Sequence, residues 1–335
     1  MNRIESHSSV NTYKTCPAKY RYHYSEHKRQ TKATDAMQLG NLVHEAFAYS
    51  LQGNATIAEI NAYIDTCFVY NEVQEKAREI ARYYAPLIGF GNGLQAYQMN
   101  GKRVIEKRFE VEIAGIQIMG YIDAIIQDRH GNVVLVDWKT RAQLLDSSQV
   151  AMDNQLYMYA YVVKEVLNIP ITKVCQVQIK TTLPAKPKLL KRKTAKMYQA
   201  KSGTVAFEQL GYKLITAKMK KEFSSMAQRG FVLVETPEPP ALSKTLGATT
   251  RTVFIDECIK LGVADNVNIQ DYEHKFVDES EFLRMSYIDI GKAQSKTEEF
   301  LSWINTMRMD KDHLPINNSA VCKWCQYTDL CIEGV

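Results

Sequence analysis

Apolar positions along the chain recur with two different periods, and the change of period marks out its elements. Leu39, Val43, Phe47 and Leu51 recur at helical spacing, which predicts a helix from Asp35 to about Leu51, with Asp35 as N-cap and His44 on it. A second helical stretch, about 56–85, ends near Pro86, and the glycine-rich G-F-G-N-G at 89–93 reads as a loop. The period then falls to two. Residues 104–111, 116–126 and 133–139 read as strands, with Gly115 and Gly131-Asn132 supplying turns for two antiparallel connections. Asp146 followed by Gln149 forms a capping-box pattern opening a helix that carries Gln155 through Val166 before Pro170, and 174–180 is a further strand. A β-meander, a helix and a strand in that order argue for an α/β core over 104–180. Beyond it, helices are expected at about 204–228, 246–262 and 289–309, with strand-like F-V-L-V-E and an E-T-P-E-P-P breaker after the first.

At 335 residues the chain is long enough for one large domain or two modest ones, at roughly 150 residues each. Hydrophobic residues make up 45% and charged residues 24%, with no apolar run near the ~18 residues a membrane span needs. No apolar leader opens the sequence, so a cytoplasmic location is expected. The formal net charge of +5 is too slight over this length to argue for a polyanionic partner. Its distribution says more. From Val166 to Phe207 there is no acidic residue and there are nine lysines and arginines, among them Lys188, Lys191, Arg192 and Lys193. Such a run is a solvated loop or an arm that tracks phosphates. No G-x-x-x-x-G-K-[ST] pattern is present, which argues against a built-in ATP motor.

The strand V-V-L-V-D-W-K-T places Asp137 and Lys139 on one face and Trp138 on the other, because side chains alternate. The preceding strand ends in G-Y-I-D, bringing Asp123 across a hairpin from that pair. Two carboxylates held close on a sheet need a cation, and Mg²⁺ is the usual oxygen-ligated one. A lysine beside it can orient a water or offset charge on a phosphate. The plainer reading is a cross-strand Asp–Lys salt bridge, weakened here because both aspartates terminate apolar runs.

Seven cysteines without an export signal favour metal ligation or packing over a disulfide framework. Cys67, Cys175 and Cys258 are isolated and read as packed thiols. Cys322, Cys325 and Cys331 crowd into C-K-W-C-Q-Y-T-D-L-C, one ligand short of a tetrahedral thiolate site. Cys16, in T-C-P-A-K-Y-R-Y, is either a core thiol or the fourth ligand if the termini meet.

Taken in order, these segments resemble the PD-(D/E)xK nuclease superfamily, and within it the RecB-type exonuclease branch with an iron–sulfur cluster, as in CRISPR-adaptation and AddB-type nuclease domains. S-S-V-N-T-Y-K-T-C-P-A-K-Y-R-Y is similar to its N-terminal cysteine motif, L-G-N-L-V-H-E-A-F to its histidine helix and G-Y-I-D-A-I to its first acidic motif. V-V-L-V-D-W-K-T is similar to its D-x-K strand, Q-L-Y-M-Y to its Q-x-x-x-Y helix and C-x-x-C-x-x-x-x-x-C to its C-terminal cluster. The resemblance covers 6–180 and 314–335. It implies a restriction-endonuclease-like α/β core, a mixed central sheet flanked by helices, with a helical insertion and an iron–sulfur staple joining the termini. The implied parts are an N-terminal helical region 1–103, a nuclease core 104–180, a basic arm and mainly helical insertion 181–313, and the cysteine cluster 314–335.

By the same resemblance His44, Asp123, Asp137 and the Trp138 backbone carbonyl would ligate Mg²⁺ or Mn²⁺, and Lys139 would position the attacking water. Gln155 and Tyr159, four apart on one helical face, would order the site or contact DNA. Cys16, Cys322, Cys325 and Cys331 would hold a [4Fe-4S] cluster, with zinc as the chemical competitor. The implied activity is a metal-dependent DNA exonuclease preferring single strands or free ends, with a helicase or recombination protein as candidate partner and no membrane. The alternatives are a flap or junction endonuclease and a catalytically inactive nucleic-acid-binding protein.

Overall fold

The computed structural model describes residues 3–28, 34–53, 56–67, 71–88, 94–190, 194–200, 214–216, 231–237, 241–309, 322 and 325–332. They divide into two units, residues 1–183 with 280–335, and residues 184–279. The larger unit opens with α1 (His7–Thr15), α2 (Pro17–Tyr20), α3 (Asp35–Gly53), α4 (Ile57–Thr66) and α5 (Asn71–Ile88). Three two-residue strands follow, β1 (Gln95–Ala96), β2 (Gln98–Met99) and β3 (Lys102–Arg103). Then come β4 (Ile105–Ile113), β5 (Ile116–Gln127), β6 (Val133–Arg141), α6 (Ser147–Val150), α7 (Asn154–Tyr161) and β7 (Lys173–Lys180).

The sheet runs β1-β5-β6-β7, with β4 also on β5, and β6 lies parallel to β7 while β4, β5 and β6 are antiparallel. It is the mixed central sheet flanked by helices that the sequence predicts. Ala114 and Gly115 close the β4–β5 hairpin with φ of 50° and 75°, the left-handed pair a two-residue turn needs. Alternation along β6 separates two layers. Val133 and Leu135 join the core formed with α7 and α1, including Leu156, Val162 and Tyr13. On the other face Trp138 packs edge-on against Phe47 of α3, ring centroids 5.8 Å apart.

Several boundaries move. The N-cap of α3 is Thr34, whose hydroxyl accepts a hydrogen bond from Met37 N, rather than Asp35. The stretch 56–85 is two helices, the first capped at Cys67 and the second running through Pro86 to Ile88, since a proline near a helix end removes one hydrogen bond without ending the helix. The Asp146/Gln149 capping box forms but opens only the four-residue α6. Gln155 sits on the separate α7, capped by the Asp153 side chain, which leads into a π-helical turn at Val162–Val166. The loop expected at 89–93 lies outside the described residues.

The second unit carries strands as well as the helices expected of the insertion. Its β8 (Thr194–Ala200) falls in the basic run, and β9 (Leu214–Thr216) falls inside the expected helix 204–228. β10 (Phe231–Pro237) is the strand-like F-V-L-V-E, and the three form an antiparallel sheet ordered β10-β8-β9. α8 (Arg251–Lys260) lies within the expected helix 246–262, and its Phe254 anchors a small core with Leu242, Leu246 and Val263. The chain then returns to the first unit. β11 (Leu283–Ile288), not foreseen, adds antiparallel to β7, and α9 (Ala293–Met309) packs its Phe300 and Ile304 into the α7 layer. Alternation in L-R-M-S-Y-I is masked because this strand exposes Met285 and Tyr287. α10 (Thr328–Ile332) ends the fold. Among the described residues no helix is long and apolar enough to cross a membrane.

One contact ties the hairpin to α7. A Cβ on Gly120 would lie 2.6 Å from the Phe109 ring and 2.7 Å from the Tyr159 hydroxyl. Gly120→Ala should therefore destabilise the protein by about 1–3 kcal/mol, read from the denaturant midpoint. The loss should shrink in a Phe109→Ala background, where the ring is gone; strict additivity of the two changes would show that the clash is not the cause.

Candidate active site

The β4–β5 register places Glu106 directly opposite Asp123, since Ile105 pairs with Ala124 and Lys107 with Ile122. The β5–β6 ladder ends at Ala124 and Val136, so the next facing positions are Asp123 and Asp137. Three adjacent strands thus carry three carboxylates on one rung. Like charges directly opposite each other destabilise a sheet, and the ladder breaks on both sides of Asp123. Glu106 adopts φ 45° and makes no ladder pair with Asp123. Across the other gap the Asp123 carboxylate takes the place of a backbone acceptor, receiving the Trp138 N–H at 2.7 Å.

His44 reaches the rung from α3, its Nδ1 3.7 Å from Asp123 Oδ2. One turn earlier, Gly40 lets the helix close on β6, where a Cβ would lie 3.2 Å from the Thr140 hydroxyl. The ligating atoms of His44, Glu106 and Asp123 all lie within 4.8 Å of one another, and among the described residues they are the group that could hold a metal ion. Asp137 stands outside that group with both oxygens engaged. Lys139 Nζ donates to Oδ1 at 2.8 Å, and Gln176 Nε2 donates to Oδ2 at 3.3 Å. The same amide reaches Asp153 Oδ2 at 3.4 Å.

Burial dominates the electrostatics. Desolvation pushes Asp137 up to about 6, against the pull of Lys139 and reinforced by Asp123. It raises Asp123 as well, against Lys139 and the Trp138 N–H. Glu106 is pushed up to about 7 by desolvation and by the charges of Asp123 and Glu45. Desolvation and Lys139 hold His44 down at about 4, so the imidazole is neutral at pH 7 with a lone pair to offer. Lys139 runs against its own burial, because Asp137 and Asp123 raise it above the ordinary lysine value. Removal from water is the first cause of all three raised carboxyls, and a bound cation would offset it. Oxygen donors with one imidazole suit Mg²⁺ or Mn²⁺ rather than a soft metal, so the residues present fit such an ion.

Gln155 counters the burial that raises the Tyr159 hydroxyl, and Tyr159 is held against the hairpin, its hydroxyl accepting from Tyr121 N at 3.4 Å and its ring edge-on to Phe109. Lys188 is exposed in the second unit, its carbonyl accepting from Ser243 N at 2.8 Å. Lys191, Arg192 and Lys193 lie outside the described residues. The chain ends do meet. Tyr22 packs on Tyr327, His23 bonds the Tyr327 hydroxyl at 2.8 Å, and Cys16, Cys325 and Cys331 border the same apolar cluster. Burial raises the Cys331 thiol, and the charges of Cys16, Cys325 and Cys322 add to it. The four sulfurs do not come together as a set all within 4.8 Å.

Glu106, Gln176 and Asp153 are the site residues that the sequence reading missed. Counting back from the Ala114-Gly115 turn pairs Asp123 with Glu106, a signal available in the sequence. For Gln176 no such signal exists, because only the parallel register of β7 on β6 brings it beside Asp137.

The sequence profile of the PD-(D/E)XK nuclease superfamily matches residues 5–332. The chain belongs to that superfamily. No curated protein matches it. Among solved structures, the crystal structure of SSO0001 is similar at 17% identity with a TM-score of 0.26. That match covers 54% of this chain and 64% of that one, too little likeness to carry an argument.

A carboxyl raised by folding stabilises the fold below its ordinary range near 4, and that contribution is lost as pH rises through the folded value. Asp137→Asn mimics the protonated form. In EDTA its melting temperature should equal that of the wild type near pH 4. Its advantage should grow through pH 6 to several degrees and stay level above that pH. A variant melting no higher than wild type at pH 7.5 would show that the Lys139 ion pair outweighs the repulsion.

Proposed function

We propose that the protein is a divalent-metal-dependent deoxyribonuclease of the RecB type, acting as an exonuclease on single strands or free ends. The observation that carries the nuclease reading is the rung of Glu106, Asp123 and Asp137 with Lys139 at 2.8 Å from Asp137. His44, Asp123 and Asp137, with Glu106 and the Trp138 carbonyl, would hold Mg²⁺ or Mn²⁺. When bound, such an ion neutralises phosphate charge and lowers the pKa of its water.

The protein's own groups divide the remaining work. Lys139 stays protonated at any pH where DNA is cut, so it serves as a donor that orients water or offsets charge on the phosphate, and not as a base. Asp137 fixes that ammonium, and Gln176 fixes Asp137. Gln155 and Tyr159 order the wall beside it. The basic arm with Lys188, Lys191, Arg192 and Lys193 supplies backbone charge without reading sequence. Preference for free ends and a helicase or recombination partner rest on the six ordered motifs. A binding protein without catalysis is disfavoured by the joint presence of His44, Asp123, Asp137 and Lys139.

End-labelled linear DNA and covalently closed single-stranded circles, each with Mg²⁺, Mn²⁺ or EDTA, test the reading. Linear strands should be degraded with metal only and circles should survive; a cut circle would make the enzyme an endonuclease. Asp137→Ala should lose on the order of 10³-fold in rate while still binding DNA. Cleavage at the wild-type rate by that variant would overturn the site assignment.

For the chain ends we propose that Cys16, Cys322, Cys325 and Cys331 hold a [4Fe-4S] cluster that staples them. The support is the neighbourhood that Cys16, Cys325 and Cys331 share around Tyr22 and Tyr327, with Cys322 near enough to raise the Cys331 thiol. Anaerobically prepared protein should be brown with about four irons per chain, and Cys331→Ser should lose both iron and colour. Stoichiometric zinc without iron would replace the cluster by a zinc site.

A further inference from the structure

Beside β6 lies a cleft of about 560 Å³, between α1 and the α6–α7 connection, of whose lining residues the chemistry above uses only Gln155. The volume is that of an organic ligand site. Its walls are rich in carboxamides, with Asn11 on one side and Gln149, Asn154 and Gln155 on the other. The Asn154 carbonyl oxygen is buried and has no hydrogen-bond partner, although the residue is only 8% exposed and its amide reaches Glu299 at 3.4 Å. A buried acceptor left unpaired is costly, and here it belongs to a residue lining an open cleft.

The charge in the cleft is balanced. Lys14, stacked on Trp303 at 4.6 Å, is offset by Asp153, which lies 3.6 Å from His7. Burial holds His7 down at about 4, so it adds no positive charge at neutral pH. A phosphate site would show surplus positive charge. Carboxamides instead present a donor and an acceptor side by side, the pattern that pairs with the edge of a nucleobase. At the rim Met152 is 78% exposed on a folded turn, and a thioether is a favourable neighbour for an aromatic ring. The cleft is also wired to the chemistry. Asp153 shares the Gln176 amide with Asp137.

We propose that this cleft is a subsite for one nucleobase of the strand being cut, next to the scissile phosphate, read by Asn11 and Asn154 and covered by Met152. The proposal rests on the nuclease reading for its ligand. It adds that the enzyme holds the base as well as the backbone, so that a strand lacking that base is a poorer substrate.

Two measurements test it separately. Single-stranded oligonucleotides carrying one abasic residue, moved a position at a time, are cut with Mn²⁺. One position beside the cut should raise KM roughly tenfold. Asn11→Ala and Asn154→Ala should raise KM for the intact strand by a similar factor and show no further penalty for the abasic one. A penalty that persists unchanged in both variants overturns the subsite. Deoxynucleoside 5′-monophosphates and deoxyribose 5-phosphate are then titrated in EDTA against intrinsic tryptophan fluorescence, since Trp303 adjoins Lys14. Saturable binding of the nucleotides, weakened at least fivefold by either variant and absent for the sugar phosphate, supports the base site. Equal binding of the sugar phosphate, or no binding of either, refutes it. Asn11 is exposed on α1, so its variant keeps the test valid if Asn154→Ala misfolds. If no DNA is cut while nucleotides still bind, the nuclease reading fails and the base site stands.

Discussion

Bringing Glu106, Asp123 and Asp137 onto one rung is the constraint around which the sheet is arranged. Regular pairing of β4, β5 and β6 would set the three carboxylates face to face, and the ladder yields where they meet. Glu106 turns to a left-handed φ, β6 leaves β5 after Val136, and the Trp138 N–H goes to a carboxylate instead of a carbonyl. The protein is thereby less stable than an uncharged rung would make it. A gap in the ladder, lined by oxygens and closed on one side by an ammonium, is also what a divalent cation and a phosphate need.

Both helical layers converge on that gap because β6 alternates so strictly. Trp138 faces α3 and steers it against the sheet, and Gly40 permits the approach that delivers His44. Asp137 and Lys139 face the α7 side, where Gln176, Asp153, Gln155 and Tyr159 form a connected polar wall beneath an otherwise apolar core. Polar groups buried together are tolerated when they satisfy one another. Here two acceptors are left over, Gln176 Oε1 within that wall and Asn154 Oδ1 lining the cleft next door.

Where β6 departs, the free edge of β5 is covered from the N-terminus. Glu5 bridges Ile118, its N–H donating to Gln117 and its carbonyl accepting from Met119. Its buried carboxylate accepts from Ser9 and Tyr20, which fixes α1 and α2 relative to the sheet. The tyrosines that follow carry this anchoring on to α10, so the segment bearing Cys16 and the one bearing Cys325 and Cys331 share one small core. The two terminal segments are thus held near the edge of the central sheet by packing and hydrogen bonds.

Local chemistry was legible wherever it depends on near neighbours. The helix of His44, the three strands of the meander, the face shared by Asp137 and Lys139 and the capping box at Asp146 all follow from spacing, because helix and strand periods act within a few residues. The six ordered motifs likewise pointed to the superfamily to which the chain belongs. Distant pairings were not legible. β11 joins β7 across more than a hundred residues, Gln176 meets Asp137 only through a parallel register, and the short β9 falls where helical spacing is read. Such partners are chosen by complementary surfaces that exist only once the chain has folded. The sequence by itself therefore determined the elements that carry His44, Asp123, Asp137 and Lys139, and through the hairpin turn the place of Glu106 opposite Asp123, while the tertiary structure alone decided that Gln176 links Asp137 to Asp153 and that a carboxamide-lined cleft lies alongside.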